Sequence, residues 1–298
     1  MKDYVAENQR ILDKWRNDYV KRNKANWPGY FNLHEYFASD GIMYKGEFQG
    51  EERYYKKETE EEEPYYRLFR WVRIPSGEEN VLWANAPLRL LFLTKDQNTE
   101  DNPAWDVRSE SYRYISEKYK PEEMWLDTSN AFNRNLVYTL YGILKTTVDQ
   151  QIGYNDFTDK DALFFADKQI FARINCKKEV GEEKCDNAVL KKAIENDKKY
   201  LKQQIDNLDA DIFFCCGYSE LIERTGSHIL NFLNEIGYNF EQDSKDETGE
   251  WIFYDKKRNK VAINSYHLSY SGFDYNGLIT AYSKFLKNHL DFTKSHRK

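Results

Sequence analysis

Four short apolar runs, Leu90–Thr94, Ile170–Ile174, Asp211–Cys216 and Val261–Ile263, are each closed by a polar residue or a glycine, and that punctuation limits what this chain can become. Asp96, Asn175 and His267 lie just past three of them, and Gly217 ends the fourth. Runs this short and this apolar suit strands covered on both faces. Between the second and third, the apolar residues take helical spacing: Leu190, Ile194, Leu201, Ile205 and Leu208 form one stripe, with Lys191, Lys192, Lys198, Lys199 and Lys202 opposite. Such alternation predicts a parallel sheet clothed by helices, whose strands open at their carboxyl ends on one crevice. The expected fold is α/β, a three-layer αβα arrangement with a short, mainly parallel central sheet of about four strands. Residues distant in sequence then converge.

The first 86 residues read differently and are expected to form an amino-terminal accessory region, with the α/β domain spanning 87–298. Ile11, Trp15 and Tyr19 predict a helix that Trp27-Pro28-Gly29 closes. The acidic run Glu58–Glu63 suits a solvated loop, and the aromatic set Tyr65, Tyr66, Leu68, Phe69, Trp71, Val72 and Ile74 suits a strand or hairpin. Beyond Gly217, Leu221, Ile222, Ile229, Leu230 and Phe232 predict another helix, and Trp251–Tyr254 should pair with Val261–Ile263 as a hairpin that gives the sheet an antiparallel edge.

Composition narrows the function classes. The 298 residues are 40% hydrophobic and 32% charged, as for a soluble globular protein, and no apolar stretch approaches the ~18 residues that cross a bilayer. The charged start lacks the apolar core of a signal peptide, so a cytoplasmic location is expected, without a membrane. Adjacent Cys215 and Cys216 would point to opposite sheet faces, and Cys176 and Cys185 fit no familiar zinc spacing. No metal and no cofactor are expected. A net charge of −6 counts against general phosphate affinity. Lys256-Lys257-Arg258-Asn259-Lys260, the trio Arg67, Arg70 and Arg73, and Lys294–Lys298 are either solvated turns and tails or a local basic rim. The G-x-x-x-x-G-K-S/T phosphate loop is missing.

The strand ends carry a resemblance. Leu91-Phe92-Leu93-Thr94-Lys95-Asp96-Gln97-Asn98 resembles the G-Q-D-P-Y-H or G-M-N-P-G loop of the uracil-DNA glycosylase superfamily, and Ala172-Arg173-Ile174-Asn175-Cys176-Lys177-Lys178 resembles its strand ending in Asn. Tyr200–Ile205 with Asp209–Ile212 and Gly217 is similar to the F-L-x-x-Q-I and P-x-V-I-x-x-x-G segment, and Asn264-Ser265-Tyr266-His267-Leu268-Ser269 to the H-P-S motif. Ser129–Arg134, containing Phe132, is a weaker echo of G-R-P-F-V-G. The resemblance covers about Leu88 to Phe285 in the family's order, with Thr94, Gln97 and Leu268 standing where the motifs have glycine, proline and proline.

It implies hydrolysis of the bond between deoxyribose and a flipped, uracil-like, damaged or modified pyrimidine in DNA, without a metal. Asp96 would orient water and offset the positive charge developing on the sugar. His267 would donate to the departing base, most usefully as a neutral imidazole. Asn175, with one donor and one acceptor on a flat amide, would read the base edge. Phe132 or Trp105 would supply a stacking face, and Gln97, Asn98, Gly217 and Ser269 would line the pocket. Each group also has a structural use: Asp96 as a cap, Asn175 in a turn, His267 as a hydrogen-bonded imidazole, Phe132 as core. A catalytically silent nucleic-acid or nucleotide-binding protein of the same fold is the alternative.

Overall fold

The computed structural model describes residues 2–24, 33–56, 65–97, 104–109, 130–181, 185–217, 227–245 and 251–292. Its architecture is mixed α/β around a seven-stranded sheet, larger than the four strands expected from the apolar runs. The four expected strands are its centre: β4 (Leu90–Thr94), β5 (Ala172–Asn175), β6 (Ile212–Cys216) and β9 (Lys260–Ser265). They lie in the order β5-β4-β6-β9 and are parallel throughout. The extra strands are antiparallel and sit at the two sides. On one side β1 (Gly41–Ile42) pairs with β5; on the other β8 (Trp251–Asp255) pairs with β9 as expected, and β7 (Glu241–Lys245) forms the edge. Polar Glu241, Gln242, Asp243 and Ser244 hid β7 from a reading built on apolar runs, because an edge strand need not be apolar.

The parallel strands alternate their side chains between two cores. Leu91, Leu93, Ala172, Ile174, Phe213 and Cys215 pack with Leu12 and Trp15 of α1 (Tyr4–Asn23), Trp83 of α2 (Glu79–Ala84), Leu190, Ile194, Leu201 and Ile205 of α5 (Asn187–Leu208), and Leu230 and Leu233 of α6 (His228–Glu235). Leu90, Phe92, Ile212, Phe214 and Cys216 pack with Leu136 and Leu140 of α3 (Ala131–Lys145), Ala162 of α4 (Asp159–Lys168), and Leu278, Ile279 and Tyr282 of α7 (Tyr275–Asn288). Cys215 and Cys216 therefore face opposite cores, and all four cysteines are free thiols. Each helix start that matters to the site has its cap: Asn130 Oδ1 accepts from Phe132 N–H at 2.8 Å, and Asp186 Oδ1 from Ala188 N–H at 2.6 Å. No described helix is long and apolar enough to cross a membrane.

The boundary drawn between residues 86 and 87 is crossed by the main sheet itself. Helix α1, which buries the expected Ile11, Trp15 and Tyr19, packs against α5, and β1 extends the sheet beside β5. A separate antiparallel ribbon joins β2 (Phe48–Lys56) to β3 (Tyr65–Arg73), so the aromatic set forms one strand, whose partner its own residues did not announce. Trp27-Pro28-Gly29, Glu58–Glu63, Leu221, Ile222 and Lys294–Lys298 fall outside the described residues.

Candidate active site

The register of the parallel strands places Thr94, Asn175, Cys216 and Ser265 at their carboxyl ends, with Thr94 opposite Asn175 and Cys216 opposite Ser265. Asn175 is thus the last residue of a strand, not the first of a turn, because β5 runs one residue further than its apolar run. Its side chain is fully buried. Thr94 Oγ1 donates to Asn175 Oδ1 at 2.5 Å, and among the described residues Asn175 Nδ2 has no hydrogen-bond partner. A buried amide donor left without an acceptor is costly, so its persistence needs a reason.

A chain of contacts joins this amide to the histidine. Arg173 Nε donates to Thr94 Oγ1 at 3.4 Å, and the Arg173 guanidinium lies 4.6 Å from the centre of the Phe132 ring. The Phe132 ring in turn lies 5.5 Å from the His267 imidazole, tilted by 40°. Of the nine residues singled out in the sequence, Phe132, His267 and Ser269 are in contact here, and Asn175 is linked to them through Thr94 and Arg173. Thr94 and Arg173 complete the group. Arg173 is a charge set into an apolar strand, and that was the available sign of it.

The His267 tautomer follows from its neighbours. Ser269 Oγ lies 2.7 Å from Nδ1, and the Ser269 backbone N–H, which can only donate, points at the same atom from 3.4 Å. Nδ1 is therefore an acceptor and Nε2 carries the hydrogen. The imidazole is half-buried, and burial, with Lys95 and Arg173 as nearby positive charges, pushes its pKa down to about 4. At neutral pH it is a neutral N–H donor. The same Lys95, with Lys191, also holds His228 below its ordinary value, after burial as the larger cause. Positive potential thus gathers near these strand ends in an acidic protein.

Asp96 occupies the next loop. Its Oδ2 accepts from Lys177 Nζ at 3.1 Å, and both side chains are about one-tenth exposed, at 9% and 10%. Lys177 also donates to the carbonyls of Glu179 and Val180. Backbone bonds from Cys176 to Thr94, Lys177 to Lys95 and Gly181 to Gln97 zip the loop after β5 to the loop after β4. Gly181 leaves room for the carboxylate there, since a Cβ would lie 2.2 Å from Asp96 Oδ2. The Cys185 thiol, pushed up to about 11 by burial first and then by Asp96, is no nucleophile.

Other expected contacts have different roles. Gln97 is buried and clips the loop: Nε2 donates to the Trp105 carbonyl at 3.2 Å, and its Oε1 accepts from the Trp105 N–H at 3.0 Å. Trp105 is held by that clip, and the stacking face beside His267 belongs to Phe132. The Gly217 N–H, expected to face a ligand, is spent on the carbonyls of Cys215 and Ser265. Asn98 falls outside the described residues. Of the basic clusters, the turn at 256–259 precedes β9, at the end of the sheet opposite His267, where Arg258 pairs with Asp255 and Lys260 with Asp209. Arg73 pairs with Asp167, and Arg67 and Arg70 lie on the separate ribbon. Among the described residues no group of three or more His, Cys, Asp or Glu side chains could hold a metal ion.

Comparison with known proteins gives no independent guide: no family model matches the chain, and no curated protein matches its sequence.

Proposed function

We propose that this protein is a DNA glycosylase-like hydrolase built on a three-layer αβα fold, acting on a flipped uracil-like, damaged or modified pyrimidine. The observation that carries the reading is the pair of donors at one strand-end row: the unpartnered Asn175 Nδ2 and the neutral Nε2–H of His267, linked through Phe132 and Arg173. A pyrimidine with exocyclic oxygens satisfies such donors, and an aromatic face beside them gives the ring a surface to stack on. In the reaction the N-glycosidic bond breaks and its electron pair leaves with the base, where a neutral histidine donor is suited to the developing oxyanion. Water then bonds to the anomeric carbon, losing its proton to Asp96. Arg173 and Lys95 are the positive charges near these strand ends that a DNA strand would meet.

The binder without hydrolysis has one observation in its favour: the Asp96 carboxylate is held by Lys177 and largely buried. One experiment separates the two. Labelled oligonucleotides carrying uracil, a thymine mismatch or a modified pyrimidine are incubated with the protein and treated with alkali. Strand scission at the altered base, lost in Asp96→Ala, supports the hydrolase. Retarded migration without scission supports the binder, and neither response to any base removes both readings.

A further inference from the structure

The amino-terminal segment 37–42 runs antiparallel along β5 and past its end. Ile42 and Gly41 pair with Ala172 and Arg173, Ala38 N–H donates to the Lys178 carbonyl at 2.8 Å, and Phe37 bridges to Glu179. Between these pairings Asp40, fully buried, turns its carboxylate under the end of β5. Its Oδ2 accepts from the Asn175 backbone N–H at 2.8 Å and from Lys178 Nζ, and its Oδ1 accepts from Gln204 Nε2 at 2.7 Å. Lys178 Nζ also donates to Gln204 Oε1 at 3.1 Å and lies 4.8 Å from the Trp15 ring centre. Asn8 of α1 closes the network, donating to the Asp40 carbonyl at 2.7 Å and accepting from Gln204 at 3.0 Å.

We propose that Asp40 and Lys178 are a positioning pair for the base-reading amide of Asn175, which makes segment 37–42 part of the site. A buried ion pair contributes little net stability compared with apolar packing of equal volume, so retaining one directly beneath Asn175 calls for another use. Here it fixes the backbone that carries the amide. Four elements, α1, β1, β5 and α5, meet at Asp40, and Asn8, Asn175, Lys178 and Gln204, which bond to it, are themselves buried. Burial pushes the Lys178 amine below its ordinary value while Asp40 opposes the shift, which keeps the two groups dependent on each other.

The inference rests on Asn175 as the base reader, and the experiment has a readout independent of that. The full chain is compared with Asp40→Asn, Lys178→Met, the two together, and Asn8→Ala, each assayed well below its Tm. Hydrogen–deuterium exchange follows peptide 172–178, and single-turnover scission follows a uracil oligonucleotide. Stranding one charge should speed exchange at 172–178 by at least about tenfold and slow scission by about 100-fold through a displaced amide. The double variant is charge-neutral, and its new side-chain amide oxygen can still accept from the Asn175 N–H, so it should recover both to within about threefold. If a single variant does not fold, Asn8→Ala, which loosens Asp40 without stranding a charge, should still slow scission by about threefold or more. Unchanged exchange in folded variants overturns the proposal, as does faster exchange with parental scission. A parent protein that cleaves nothing overturns the glycosylase reading, and exchange at 172–178 then decides the network alone.

Discussion

Thr94 Oγ1 donates to Asn175 Oδ1 across the parallel β4–β5 pair at 2.5 Å, so the amide of Asn175 is oriented before any ligand arrives. Its oxygen faces the strand partner, and its Nδ2 meets no acceptor among the described residues, which leaves it as the donor for the proposed base. The motif resemblance has glycine at this position, and the hydroxyl is what this chain adds. In Thr94→Val the shape is kept and the hydroxyl lost, freeing the amide to rotate. We expect scission of the preferred oligonucleotide to fall by about tenfold, as for loss of one oriented hydrogen bond, with a small change in Tm. Single-turnover rates on matched uracil and cytosine oligonucleotides check this, since a freely rotating amide also narrows the difference between the two bases.

His267 sets the acid limit. In the unfolded chain it titrates near ~6.5, and in the folded site near 4. Between those values the unfolded chain binds more protons, so stability rises with pH. The contribution of His267 is present above the unfolded value and is lost as pH falls through the folded one. Urea unfolding between pH 7 and pH 4 should therefore lose stability more steeply in the parent than in His267→Gln. The scission rate should hold from neutral pH down to about pH 5 and fall near pH 4 in the parent, as Nδ1 gains a proton. A parent rate that instead rises as pH falls from 6 to 4 would show that the working form is the imidazolium.

How much of this was legible in the sequence depends on the kind of signal. The centre of the sheet was readable because strands buried on both faces must be apolar, and β4, β5, β6 and β9 are. Strands β1 and β7 were not, since two residues at an edge and a polar edge strand carry no such signal. Asn175 and His267 were readable as polar stops on apolar runs. Asp40 was invisible: it has no motif and acquires its role only when residue 41 pairs with residue 173. The same pairing ties residues before 86 into the main sheet. The cluster at 256–260 is an exposed turn, one of its two readings, and charge density alone says nothing about which end of a strand it marks.

The Asp96 loop tests whether the carboxylate must stay where Lys177 holds it. Gly181→Ala would put a methyl group 2.2 Å from Oδ2, and the backbone is held there by the Gly181 N–H on the Gln97 carbonyl and the Val180 N–H on the Tyr36 carbonyl. The carboxylate is therefore the group that moves. We expect Gly181→Ala to reduce scission by about 100-fold, as a displacement of roughly 1 Å can, with substrate binding by gel retardation nearly unchanged. Asp96→Ala should reduce scission at least as far. Equal activity in parent and Gly181→Ala would remove Asp96 from the reaction.

Gly41 joins the amino-terminal segment to the site at a point with no room to spare. Its φ of +138° is one that side-chain-bearing residues rarely adopt, and a Cβ there would lie 2.5 Å from Asn8 Nδ2. Asn8 cannot withdraw without releasing the carbonyl of Asp40 and the amide of Gln204. Gly77 is the matched control: its φ is +83°, but nothing lies within 4 Å of the added atom. We expect Gly77→Ala to cost roughly 1 kcal/mol from backbone strain alone. Gly41→Ala combines the strain with a broken buried network and should cost on the order of 2 to 4 kcal/mol. Urea unfolding of both variants measures the difference. Exchange at peptide 172–178 should quicken in Gly41→Ala and stay parental in Gly77→Ala, because only the first substitution reaches β5 through Asp40.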